Sequence, residues 1–167
     1  MKYNLVYAEF YSNYINLAKG ESIKRSLLKS TKEFFQFLEQ IPEKKYDYAY
    51  AEGKWTIKEV LQHVIDAERV FSYRITSIAR FDATPLPGFN ENLWAANAGV
   101  SEKKWKDLVK EFKLLRKSNL LMINSLQKSE LASVGTASNQ PISTAALCFI
   151  IGGHVQHHMK VLKERYL

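Results

Sequence analysis

The 167-residue chain lacks most of the features that would staple or anchor a protein. Its one cysteine, Cys148, excludes an intramolecular disulfide, a disulfide scaffold and any zinc site built on several thiolates. Seven glycines and four prolines exclude a collagen-like chain. The most apolar stretch, Ala145 to Ile151, stops far short of the ~20 residues that a membrane span requires. The opening Met1-Lys2-Tyr3-Asn4 leads into a polar, aromatic segment containing Glu9, without the apolar core of a signal peptide. A soluble, cytoplasmic protein with no membrane partner is expected.

What is present is a globular balance of 46% hydrophobic, 13% aromatic and 25% charged residues. That is enough apolar material for one domain, residues 1–167, with a real core. The 24 Lys and Arg against 17 Asp and Glu give a net charge of +7. Such a charge suits nucleic acid when it is clustered. Here Lys103-Lys104-Trp105-Lys106-Asp107 and Lys163-Glu164-Arg165 interleave the signs, and no run of five like charges occurs. The basic residues therefore read as a solvated surface, and nucleic acid is not an expected partner.

Helical periodicity dominates. Ile23, Leu27, Phe34, Leu38 and Ile41 mark a first helix over residues ~21–40, ended by Pro42. A second runs from Ile57 through Val60, Leu61, Val64, Glu68, Phe71 and Ile75 to Ile78, with Thr56 and Glu59 spaced as a capping box. Ser101 is the expected N-cap of a third, which continues through Trp105, Leu108, Phe112, Leu115, Asn119 and Met122 to Leu126. The fourth begins near Ser143 and passes Ile151, Val155, His158 and Leu162. No alternating strand pattern competes. The expected fold is all-α, an antiparallel four-helix bundle with long connecting loops. The connections 42–55, 81–100 and 129–142 are long enough to be functional or to cover something. The first ~20 residues read as an aromatic strap along the bundle.

The chemistry lies in four histidines: His63, His154, His157 and His158. On a wheel of 100° per residue, His154 and His158 share the apolar arc of the last helix, one above the other. His157 falls toward Gln156, Lys160 and Glu164, on the polar margin. An inward i, i+4 pair can chelate one divalent metal, or can be two core histidines sharing a hydrogen-bond partner. His63 flanks the apolar face of the second helix, where it either looks across to a neighbouring helix or stays half-exposed at the surface. Val155 follows His154, so the H-E-x-x-H protease motif with its glutamate base is absent. No Glu-x-x-His set for a di-iron centre occurs on the inward faces. Three histidines without a fourth ligand would leave coordination positions open, the catalytic pattern. Zinc or nickel suits the set best, with iron(II) and manganese compatible.

The strings Gly53-Lys54-Trp55-Thr56-Ile57-Lys58-Glu59-Val60-Leu61-Gln62-His63-Val64-Ile65-Asp66-Ala67-Glu68-Arg69 and Gly152-Gly153-His154-Val155-Gln156-His157-His158 resemble the DinB-like superfamily. Thr84-Pro85-Leu86-Pro87-Gly88-Phe89-Asn90-Glu91-Asn92 resembles the loop of one of its subgroups. The resemblance spans about Tyr14 to Leu167. It implies an up-down-down-up four-helix bundle with one divalent metal held by His63, His154 and His158. It also implies a second copy of the chain as partner, since many relatives pair as homodimers. Characterised relatives include bacillithiol- and mycothiol-dependent S-transferases and a maleylpyruvate isomerase.

Other positions carry expectations of their own. Glu68 and Arg116 fall within apolar arcs, and a buried ion pair between them would satisfy both. Asp66 points away from the core and reads as solvated. Arg74 shares a flank with His63 and Ala67; a surface salt bridge is the favoured reading, contact with an anionic substrate or loop carboxylate the other. Glu91 and Asn92, just after Pro87-Gly88, are candidates for a base or for supporting a metal ligand. Cys148 reads as a buried small hydrophobe, and Tyr46 to Tyr50 as the lining of a pocket mouth. The resemblance implies an enzyme whose metal activates a thiol toward an electrophilic small molecule, with activation of water as the variant. The rival is a non-catalytic metal-binding bundle in a stress or damage response, closed by a fourth ligand such as Glu91.

Overall fold

The computed structural model describes residues 3–167; the Met1-Lys2 opening of the N-terminal strap lies outside them. Four long helices carry the core: α2 (Ile23–Gln40), α3 (Ile57–Ala79), α5 (Trp105–Ser125) and α7 (Thr144–Arg165). Shorter helices α1 (Ser12–Ala18), α4 (Glu91–Asn97) and α6 (Lys128–Ala132) sit in the connections.

Local sequence fixes most of the boundaries. Ser22 caps α2 by accepting from the Arg25 amide, and Ile41-Pro42 ends the helix. Thr56 and Glu59 form the expected capping box of α3, through Glu59 N–H to Thr56 Oγ1 at 3.2 Å and Thr56 N–H to Glu59 Oε2 at 2.6 Å. Ser143 caps α7 by accepting from the Ala146 amide. The expected Ser101 cap is overturned. Ser101 lies in a 3-10 turn, Val100–Glu102, and α5 starts at Trp105 with Lys104 as its cap. A Ser alone is a weak boundary signal where a second short turn can hold it.

Side-chain contacts give the helix directions. Glu68 meets Arg116, Ser72 meets Asn119 and Thr76 meets Met122, so α3 and α5 run parallel. Gly152 lies against Ser30 and Ser26, while Lys163 sits over the Phe37 ring, so α2 and α7 also run parallel. Thr31 to Arg116 and Phe35 to Phe112 set α2 antiparallel to α5. The order is up-down-down-up. Parallel neighbours joined in sequence need a crossover along the bundle. The connection from α3 to α5 is that crossover, and it carries Pro87, Phe89 and α4 across the face of α3 and past the histidines.

The connections hold more structure than the sequence suggests. Val134–Ala137 (β1) pairs antiparallel with Gln140–Ser143 (β2), and Leu86 bridges to Ala137. This overturns the expectation that no strand forms. Ser138-Asn139 form the turn between the strands, both with positive φ (51° and 61°), as a two-residue hairpin turn requires. The N-terminal strap is present: Ser143 N–H donates to the Val6 carbonyl at 2.9 Å, and α1 packs on α7. No helix among the described residues is long and apolar enough to cross a membrane.

The expected Glu68–Arg116 pair lies in the bundle core. Arg116 donates to both Glu68 oxygens, Nε at 2.7 Å and a terminal nitrogen at 2.6 Å. It also reaches the Ile151 carbonyl on α7 and Thr31 Oγ1 on α2, while Asn119 donates to Glu68. One buried guanidinium therefore has a partner on each of the other three long helices, which fixes their mutual register.

Candidate metal centre

α3 and α7 are antiparallel neighbours, so the flank of α3 that carries His63 faces the arc of α7 that carries His154 and His158. The Nε2 atoms of His63 and His154 are 3.2 Å apart, and those of His154 and His158 are 3.1 Å apart. The ligand nitrogens of all three lie within 4.8 Å of one another. His63 and His154 are buried and His158 is half-buried.

Protons alone satisfy this cluster poorly. One Nε2 carries either a lone pair or a hydrogen, so His154 cannot make a good hydrogen bond to both neighbours at once. A shared cation satisfies all three lone pairs. An ion bonded to nitrogen at about 2.0–2.1 Å holds adjacent ligands roughly 3.0–3.4 Å apart, and the observed spacings of 3.2 and 3.1 Å fit. Burial favours the neutral imidazoles that a metal needs. It lowers His63 to about 4, and it lowers His154 and His158 well below the usual histidine range, with neighbouring histidines adding to the effect.

Aromatic rings hold the imidazoles in place. Trp55 lies 4.9 Å from the His63 ring, and Phe71 packs edge-on against His154 at 5.5 Å. Tyr14 of α1 packs edge-on against both His154 and His157, each at 5.3 Å. His157 is on the margin, as the wheel indicates, and accepts from Asn13 Nδ2 at 3.1 Å.

The three histidines line a cavity of about 630 Å³. Its walls bring in Arg74 from α3, Glu91 and Asn92 from the start of α4, and Ser138 from the hairpin turn. All six site residues picked from the sequence thus meet at one cavity. Glu91 and Asn92 are exposed at its rim. Among the described residues the potential ligand group comprises His63, His154 and His158, and Glu91 is outside it.

Three expectations change. Arg74 makes no surface salt bridge; it is 2% exposed and donates to Tyr11 Oη, the Pro87 carbonyl and Ser138 Oγ. Asp66 is half-buried rather than solvated, accepting from Gln62 and pairing with Arg69, and burial raises its carboxyl. Of the tyrosines taken for a pocket mouth, Tyr50 lines a second cleft with His158, but Tyr46 stacks on Trp105 at 4.3 Å. Cys148 is buried, as expected. Tyr11 and Ser138 escaped the sequence reading, because only the folded strap and hairpin bring them to α3.

No curated protein matches the sequence. Among solved structures, YfiT from Bacillus subtilis, described as a probable metal-dependent hydrolase with an unusual four-helix bundle topology, superposes with a TM-score of 0.69. It is 15% identical, with 95% of this chain and 87% of that one covered. The profile of the DinB superfamily matches residues 26–162, which include all three clustered histidines. This chain belongs to the DinB superfamily.

Proposed function

We propose that this protein is a metal-dependent enzyme acting on a small molecule bound in the 630 Å³ cavity, with one divalent ion held by His63, His154 and His158. The observation that carries the reading is the convergence of three buried or half-buried imidazole nitrogens on the wall of a solvent-connected cavity. A three-histidine set is the pattern of catalytic rather than closed structural sites. Zinc or nickel suits the all-nitrogen set best, ahead of iron(II) and manganese. When bound, the ion supplies Lewis acidity that makes a coordinated thiol or water more acidic at neutral pH.

The chain's own residues supply the rest. Trp55 packs against the His63 imidazole, and Phe71 and Tyr14 pack against that of His154, which holds those two rings in place. Glu91, exposed at the rim, is the carboxylate to which we assign acceptance of a proton from an entering nucleophile. The crossover and α4 form the outer wall, which sets substrate shape. Transfer of a thiol to an electrophile is the reaction we favour, from the sequence resemblance; hydrolysis is the variant suggested by the structural neighbour. The same resemblance carries the expectation of a homodimer.

The test is turnover by zinc- or nickel-loaded protein of two substrate pairs, cysteine with 1-chloro-2,4-dinitrobenzene and water with p-nitrophenyl acetate. Catalysis of either that disappears on chelation and in His154→Ala supports the reading. Rates unchanged by both treatments would overturn it.

A further inference from the structure

The cavity holds a buried cation that no ion pair among the described residues neutralises, the Glu91 carboxylate standing at the exposed rim of the same cavity. Arg74 and Arg116 are the two arginines among the largest fully buried side chains. Arg116 is gripped by the Glu68 carboxylate, whereas every acceptor that Arg74 meets is neutral. Those acceptors are Tyr11 Oη at 3.1 Å, the Pro87 carbonyl at 2.7 Å and Ser138 Oγ at 3.0 Å. No carboxylate among the described residues pairs with Arg74, and its Nε is buried without a partner. A buried cation normally carries a counter-ion, because desolvation without one is costly.

The two hydroxyls complete the pattern. Tyr11 and Ser138 each use a lone pair to accept from Arg74, which leaves each hydroxyl hydrogen free to donate. Neither hydrogen is taken by a protein acceptor among the described residues, and both side chains line the same cavity as Arg74. Burial raises the Tyr11 phenol, so it keeps its proton at neutral pH. A guanidinium flanked by two unspent hydroxyl donors is a receptor for an oxyanion. The surrounding wall is aromatic, with Tyr14, Phe71 and Phe89.

We propose that Arg74, Tyr11 and Ser138 form a carboxylate subsite in this cavity, so that the substrate is a small molecule bearing a carboxylate on an apolar body. The inference deepens the proposed function and rests on it for the chemistry at the histidine end. The subsite holds the anionic end, and the crossover and hairpin turn are tied to it through Pro87 and Ser138.

Phenylacetate and phenylacetamide are the probes, alike in shape and different in charge. Titration calorimetry on the full-length protein, chelator-treated and then zinc-loaded, is expected to show phenylacetate binding about tenfold tighter or more in both forms, as a charged hydrogen-bond set implies. Arg74→Gln should abolish the preference. Because Arg74 also ties three segments together, the folded double variant Tyr11→Phe/Ser138→Ala serves as a second test. It keeps the guanidinium and should weaken phenylacetate about tenfold while leaving phenylacetamide unchanged. Absence of any carboxylate preference in chelator-treated wild type, whether the probes bind alike or not at all, would overturn the subsite. So would unchanged phenylacetate affinity in the folded double variant. Metal-dependent turnover without carboxylate preference would sink the subsite alone; carboxylate preference in a protein that takes up no metal would sink the enzyme reading alone.

Discussion

Gly153 on α7 lies so close to Tyr14 on α1 that a Cβ at position 153 would sit 1.9 Å from the Tyr14 carbonyl oxygen. The neighbouring glycine is different: a Cβ at Gly152 would meet Ser30 Oγ at 3.3 Å, a contact a small shift relieves. This near-contact of backbones seats α1 and puts the Tyr14 ring against His154 and His157.

Gly153→Ala should therefore displace α1 and cost about 2 kcal/mol or more, overriding the roughly 1 kcal/mol that alanine gains in a helix. Gly152→Ala should stay within about 1 kcal/mol of wild type. Urea denaturation of the two variants checks the contrast. Equal stabilities would show that α1 is not held by this contact.

Glu68→Ala should destabilise the protein by about 3–5 kcal/mol, because Arg116 would remain buried without its counter-ion. Its metal content should not change, since Glu68 belongs to the register of the bundle and not to the histidine group. Denaturation and metal analysis on the same preparation separate the two roles. Unchanged stability would refute the structural assignment.

Acid should weaken the metal-free protein earlier than it titrates the native histidines. The unfolded chain takes up protons on histidine near pH 6.5, whereas the native His63 is held down to about 4 and its two partners are also lowered. Above about pH 6.5 neither state binds these protons, so the contribution to stability is fully present. As pH falls from there toward about 4, the unfolded state binds more protons and stability is lost. Melting temperatures of chelator-treated protein should be level from about pH 8 to 7 and decline below about pH 6. A maximum near pH 5 would contradict the burial of the cluster.

Cys148 is buried on α7, and burial pushes its thiol up. Labelling by a thiol reagent should be slow in the native protein and track unfolding in denaturant. Rapid native labelling would place the thiol at an opening that the structure does not have.

Much of the site was legible because it is built from helical periodicity. A four-residue step put His154 and His158 on one face, and their nitrogens lie 3.1 Å apart. Paired charges in apolar arcs revealed Glu68 and Arg116 for the same reason. Arg74 was misread because the wheel shows only its own helix. Its burial comes from the strap, the crossover and the hairpin, which arrive from 63, 13 and 64 residues away. The hairpin escaped because Gly135 and Pro141 hide any alternation, and because its turn pair Ser138-Asn139 lacks the Asn-Gly or Asp-Gly that marks a two-residue turn with positive φ. Helix α5 starts late because Ser101 is held in its own turn.

The most direct test is the metal content of wild type and His158→Ala, each purified without a nickel column. About one divalent ion per chain in wild type, lost in the variant, is the expected result for a three-histidine site. No ion in either protein, and no uptake when zinc, nickel, manganese or iron(II) is added, would contradict it and leave the three histidines as core residues of a DinB-superfamily bundle.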